Sequence, residues 1–357
     1  DPLLGEWGDH GGPTPTTPTY PLIPGGPAVD LVPVGACTVA ADQRGVPRPQ
    51  GPRCDSGAFE LAQAAPGGLL LSYPKSGKVG GVSFANEDIL FLDLAAGRWS
   101  KFFDGSDVGL AHSDVGAFAP LADGTLLLTF LQDTQIPGLG KVVKDQDIVR
   151  FVPRRLGPTT AGTFAWYLHG SELGFGPRGQ GFDALTFTPG GALVISPRNR
   201  LVLQGAKGED EDLLAWNSAS RTWTFYLDGS QLGLGDRPQE AIKAASIAAT
   251  GTLYFATAGD FAAPNVRGSG RQVWACTPRT AGAPQPCDLS LFWDGAALGP
   301  GRLNIDGLAV GTTPSALLPS VFAAGEAEGV SAVDDAYDAD IDEDDQSIQL
   351  FLPVVSQ

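Results

Sequence analysis

The chain has 357 residues, of which 48 are glycine and 29 proline, and only 18% are charged. That balance excludes an architecture of long helices, and a hydrophobic share of 43% excludes a wholly disordered chain. A formal charge of −17 opposes nucleic acid and anionic membrane, which are bound through Lys and Arg, and no apolar run is long enough to span a bilayer.

Residues 1–57 are rich in turns and poor in periodic apolar runs. The chain has no methionine and opens at Asp1 inside a Gly/Pro-rich stretch, so it reads as a processed or excised piece of a longer precursor. Four cysteines fall into two local pairs, Cys37 with Cys54 and Cys276 with Cys287. Four cysteines allow three connectivities, and local pairing is the simplest because each pair brackets a Pro/Gly-rich loop. A metal site lacks support, since there is no CxxC and no nearby histidine. Paired cysteines imply an oxidising, extracellular compartment.

Four segments follow one another in this region: DHGGPTPTT (9–17), PGGPAVDLV (24–32), DQRGVPRPQG (42–51) and CDSGAFE (54–60). Their order resembles the close of secreted bacterial right-handed parallel β-helix proteins, with departures at His10 and Ser56. The resemblance covers about 50 residues and implies a β-helix before Asp1, of which only the closing coil and cap remain here.

From residue 58 to residue 323 the chain repeats itself. An aromatic strand ending in a turn runs from Trp99 to Leu110 and recurs from Phe164 to Phe175, from Trp223 to Leu234 and from Leu291 to Gly299. The steps are 65, 59 and 66 residues. An acidic strand start precedes it, at Glu87/Asp88, Asp145/Asp147 and Asp210/Asp212, and the fourth copy has lost its acids around Arg271. A hairpin recurs at Asp123-Gly124, Gly190-Gly191 and Thr250-Gly251, where glycine supplies the positive φ of a tight turn. Each repeat thus offers four short strands rich in aromatic and β-branched residues, which predicts the blades of a β-propeller. The repeats also resemble those of secreted proteins from filamentous green non-sulfur (Chloroflexi-type) bacteria, with their DGSDVGL and PDGTLLLSF motifs. That resemblance implies a compartment and a fold but no chemistry.

A partial fifth repeat is read from Asn304–Val310, Ala316–Phe322 and Asp345–Pro353. The expected fold is therefore an all-β propeller of four clear repeats and five blades, with four blades or an open array as alternatives. The N-terminal segment would complete the last blade, and closure would remove exposed edges. The expected domains are a β-helix remnant (1–57), propeller repeats (58–323), an acidic loop (324–345) and a C-terminal strand (346–357). That strand either closes the domain or is donated to a neighbouring subunit.

The acidic run contains Asp338, Asp340, Asp342 and Asp344, which alternate as hard oxygen ligands of Ca²⁺ do. A solvated acidic loop is the preferred reading, and calcium binding the sharper alternative. The recurring acids at strand starts are either a ring of cation sites or carboxylates that satisfy local backbone donors, and the second reading is preferred. The aromatic turns either display rings to a sugar or pack between sheets, and packing is preferred. His10, His112 and His169 stand in unlike contexts, and no GxSxG, HExxH or P-loop occurs. The innermost strands (Val115–Pro120, Phe182–Thr188, Ile242–Ala248, Ile305–Val310) carry only Asp183, Lys243 and Asp306 as charges, which is thin for a catalytic funnel. The functional expectation is a non-enzymatic structural or adhesive protein of a bacterial cell surface, self-associating as a filament or surface-layer subunit. The alternative is a carbohydrate-binding or carbohydrate-active propeller with an extracellular glycan as partner.

Overall fold

Leu69–Leu71, Leu126–Leu128, Leu193–Ile195 and Leu253–Phe255 are short runs in which every side chain is buried. A strand apolar on both faces needs a packed layer on each side. In the computed structural model these runs lie in the second strands of four four-stranded antiparallel sheets. Blade one orders Gly307–Gly311, Gly68–Ser72, Ile89–Asp93 and Arg98–Phe103 from inside to outside. Blade two orders Val115–Pro120, Leu126–Phe130, Ile148–Arg155 and Ala161–Leu168. Blade three orders Phe182–Phe187, Leu193–Pro197, Leu213–Asn217 and Thr222–Leu227. Blade four orders Ile242–Ile247, Leu253–Thr257, Gln272–Thr280 and Ala283–Asp294.

The structure describes residues 4–11, 18–22, 27–29, 31–50, 53–61, 67–176, 181–235, 237–280 and 283–311. The expected calcium ligands Asp338, Asp340, Asp342 and Asp344, the acidic loop, the C-terminal strand and the rest of a fifth blade lie outside the described residues.

The ring has four blades, not five. Asn304–Val310, read from sequence as the opening of a fifth blade, instead supplies the innermost strand of the first. Leu308, Ala309 and Val310 pair antiparallel with Leu71, Leu70 and Leu69. The reason is an unmet edge: Gly68–Ser72 is a second strand whose inner neighbour is missing from its own stretch of chain, and an open edge takes the next compatible strand. Four hydrophobic cores then separate the blades. One joins blades one and two through Leu70, Phe103, Phe118 and Phe151, and another joins blades four and one through Leu71, Leu90, Ala244 and Leu308. The remaining two lie between blades two and three and between blades three and four.

The recurring aromatics pack between blades, as the preferred reading held. Phe103 of blade one meets Phe151 of blade two with ring centroids 5.1 Å apart, and Trp99 of blade one meets Trp293 of blade four at 6.0 Å.

Among the described positions residues 4–61 form one 3-10 turn, Val34–Ala36, and isolated bridges such as Leu4 with Leu22 and Val32 with Cys54, and no β-helix coil is seen there. A buried polar knot organises them. Glu60 accepts hydrogen bonds from the backbone N–H of Gln50 (2.9 Å) and Asp55 (3.0 Å) and pairs with Arg48 (3.2 Å). Asp42 accepts from the N–H of Arg44, Val46 and Glu60, and the Arg44 guanidinium lies 3.4 Å over the Phe59 ring. The segments DQRGVPRPQG and CDSGAFE are therefore two halves of one interlocked unit. Arg53 ties it to blade four by donating to the Arg279 carbonyl. Both disulfides are local, Cys37–Cys54 and Cys276–Cys287.

Candidate ligand site at the channel mouth

In a four-stranded antiparallel blade, the loop from the second to the third strand and the loop from the outer strand to the next blade open on the same face. Those are the long connections here, while the opposite face carries tight hairpins. The inner strands begin on the long-loop face, and the acidic strand starts lie beside them.

Those acids are mostly staples. Asp88 accepts from the N–H of Ala85 (2.9 Å) and Gly105 (3.1 Å). Asp147 does the same with Lys144 and Gly170, both at 2.9 Å, and Asp212 with Glu209 (2.8 Å) and Gly229 (2.9 Å). In blade four Gln272 keeps half of the device, its Oε1 accepting from Ser269 N–H at 3.0 Å. The glycine of each turn is required by close approach. A Cβ on Gly105, Gly170, Gly229 or Gly295 would sit 2.5, 2.7, 2.2 or 2.2 Å from the carbonyl of Glu87, Gln146, Glu211 or Arg271. Satisfying local donors, not a cation ring, explains Asp88, Asp147 and Asp212.

A second set of charges has a different fate. The ladders of blades two, three and four each slip by one residue at the start of the inner strand, between Val115 and Ala117, Phe182 and Ala184, and Ile242 and Ala244. The extra residues are Gly116, Asp183 and Lys243, and Asp306 holds the corresponding place before Gly307 in blade one. A bulge re-aims a side chain out of the pleat. Here it brings the three charged ones together: Lys243 Nζ lies 2.9 Å from Asp183 and 3.4 Å from Asp306. Arg198, just past the second strand of blade three, pairs with Asp183 (3.1 Å) and with Asp145 of blade two (3.2 Å), and donates to the Leu131 carbonyl. Asp114 of blade two adjoins the group, bonded to Asn86 of blade one. Every blade contributes to the cluster.

The electrostatics follow from burial with too little positive charge. Asp306 is 1% exposed. Burial pushes its carboxyl up to about 7, Asp114 and Asp183 add to the rise, and Lys243 opposes it. Burial also raises Asp114, with Asn86, Lys243 and Arg198 opposing and Glu87 adding. For Lys243 burial works against the charge, yet Asp183 and Asp306 outweigh it and hold the amine above its ordinary range. Beside the cluster, burial raises Glu87. Burial also pushes Glu211 up to about 7, with Asp210 and Asp212 adding. Among the described residues no group of three or more His, Cys, Asp or Glu is arranged to hold a metal ion; in the cluster, Lys243 and Arg198 stand between the carboxylates.

Several polar atoms of this centre have no hydrogen-bond partner among the described residues: Ser72 Oγ, Asp114 Oδ1, Arg198 Nη2 and both oxygens of Asp306. Ser72 is fully buried, and its hydroxyl lies 2.5 Å from where a Cβ on Gly307 would be. Farther down the channel Phe118 stands beside Gly307, and the opposite mouth is an uncharged cavity of about 170 Å³ lined by Phe118, Leu185, Thr186, Phe187, Ser246 and Val310 among others.

Sequence reasoning named Asp183, Lys243 and Asp306 and undervalued them, because it counted charges per strand. It missed Asp114 and Arg198 as members of the site, since both sit in loops one residue outside a strand, and it read Asp145 only as one of the strand-start acids. Aligning the repeats at the bulge gives the signal: three of four copies carry a charge where the fourth has Gly116.

No family model and no curated protein matches the chain. Among solved structures it is similar to the extracellular domain described as that of a hybrid two component system from B. thetaiotaomicron. The identity is 10% and the TM-score 0.25, over 62% of this chain and 22% of that one. It is also similar to the PQQ-bound form of aldose sugar dehydrogenase from Streptomyces coelicolor. There the identity is 13% and the TM-score 0.29, over 69% of this chain and 90% of that one. The chain spans about a fifth of the length of the first. Likeness at this level carries no argument about function, and the propeller stands on its own strand pairing.

Proposed function

We propose that the protein is a non-enzymatic extracellular recognition protein of a bacterial surface, adhesive in the broad sense, whose binding site is the long-loop mouth of the propeller channel. One observation carries this reading: Asp114, Asp145, Asp183, Arg198, Lys243 and Asp306, from all four blades, meet at the channel axis. Gly116 shows that the fold tolerates an uncharged residue at the bulge, so the charges are surplus to the ring itself. Buried charge that stability does not require marks a binding surface. The two disulfides and the lack, among described residues, of a helix long and apolar enough to cross a membrane are compatible with secretion.

The test is a thermal-shift screen of glycans, amino acids, amines and carboxylic acids on wild type, on Asp114→Asn and on Val202→Ser, a 69% exposed control position. A ligand should raise Tm in wild type and in the control but not in Asp114→Asn. The reading fails if nothing in the screen raises Tm, or if every active ligand acts equally on all three proteins. Self-association is a second reading, supported by the outer strand Ala161–Leu168, whose free edge is partly exposed and eight residues long.

A further inference from the structure

We propose that the channel mouth is a site for an organic cation, and that it takes a ligand presenting a primary ammonium group to Asp306, Asp114 and Ser72. This deepens the reading of the mouth as the ligand site and rests on it. The first argument is charge. Four carboxylates (Asp114, Asp145, Asp183, Asp306) face two cations, and each cation is already shared between two carboxylates, Lys243 between Asp183 and Asp306 and Arg198 between Asp183 and Asp145. Asp114 has no cation within ion-pair distance among the described residues.

The second argument is hydrogen bonding, and it is independent of the first. Ser72 Oγ and Asp306 Oδ2 belong to residues at least nine-tenths buried, and neither has a hydrogen-bond partner among the described residues. Asp306 Oδ1 has only the long Lys243 contact, and Asp114 Oδ1 has no hydrogen-bond partner. The carboxylate oxygens are acceptors without donors, the Ser72 hydroxyl is met in neither role, and a buried polar group left in that condition needs an explanation. The two pieces are local to each other: Asp306 N–H donates to the Ser72 carbonyl at 3.0 Å, and Asp114 acts on the Asp306 charge. An ammonium brings three donors and no acceptor. A neutral polyol would bring acceptors as well as donors, and among the described residues of this centre only Arg198 Nη2 and the Ser72 hydroxyl are unpaired donors that could meet them. The mouth meets solvent at Lys243 and Arg198, whose side chains are 20% and 22% exposed, so a ligand enters beside Lys243 by displacing its 3.4 Å contact.

The experiment is calorimetric titration of the full chain with glucosamine and ethanolamine. N-acetylglucosamine, 1-propanol and calcium chloride serve as matched probes. Both amines should bind, and the uncharged N-acetylglucosamine and 1-propanol, the latter matching ethanolamine in shape, should not. Asp306→Asn should weaken amine binding at least tenfold, as should Asp114→Asn, while Val202→Ser leaves it unchanged. Wild-type affinity for ethanolamine, whose ammonium stays charged throughout, should rise from about pH 6 to about pH 8 as Asp306 ionises, among Lys243, Asp114, Asp183, Arg198, Asp145 and Glu87. That rise should be absent in Asp306→Asn. Equal binding of N-acetylglucosamine, still abolished by Asp114→Asn, would overturn the cationic class and leave the mouth as the site. Binding of calcium in place of the amines, or of neither, would also overturn it. Amine binding indifferent to both aspartate substitutions would overturn the mouth itself.

Discussion

At the residue scale, two aspartates two positions apart in one motif do different work. Asp147 is 5% exposed and holds the N–H groups of Lys144 and Gly170. Asp145, in the turn just before, pairs among the described residues with Arg198, which also has Asp183. Asp147→Ala should therefore cost about 2–4 kcal/mol of stability, because two donors lose a charged acceptor. Asp145→Ala should cost under about 1 kcal/mol. Chemical denaturation of the two variants checks the contrast, and equal losses would refute it. Sequence alone could place both acids at a strand start, and it favoured the stapling reading. It could not separate them, because spacing does not tell which carboxylate faces its own turn and which faces the axis.

At the element scale, the blades were legible and their closure was not. Recurrence of the aromatic turn, the acidic start and the glycine hairpin revealed the four repeats, because each is fixed by local chemistry. Membership of Gly307–Gly311 in blade one depends on which edge is open in three dimensions, and nothing local in Asn304–Val310 reports that. Closure has a measurable consequence. Leu308 is 2% exposed and packs in the core between blades four and one. Leu308→Ala should cost about 2–4 kcal/mol. In hydrogen exchange it should lower protection first in Gly68–Ser72, its ladder partner, before the second strands of blades two and three. Uniform loss of protection would contradict ring closure by this strand. The N-terminal segment shows the converse limit: its motifs were recognisable in sequence, while the knot of Asp42, Arg44, Arg48 and Glu60 that joins them appears only when the contacts are seen.

At the scale of the whole molecule, the ring has two unlike ends. One mouth is small and lined without charged side chains; the other gathers charges from every blade in a chain of formal charge −17, which favours approach of cations from a distance. Regular strands do not need that gathering, and its cost falls on stability. A carboxyl whose folded pKa is raised binds a proton more tightly in the folded state, so folding loses stability as pH rises from the unfolded value toward the folded one. For Asp306 that window runs from 3.8 to about 7. The displacement corresponds to a penalty of about 4 kcal/mol above pH 7 as an upper figure. Asn at the same place removes it, and Lys243 keeps Asp183 at 2.9 Å.

The central claim is thus tested most directly by the folding free energy of wild type and Asp306→Asn, measured by denaturant unfolding across that window. The account predicts that the variant gains on wild type steadily as pH rises through it, and that the difference levels off above pH 7. Parallel curves would mean that Asp306 titrates like an ordinary surface carboxylate, and that no costly charged centre exists at the mouth of the channel.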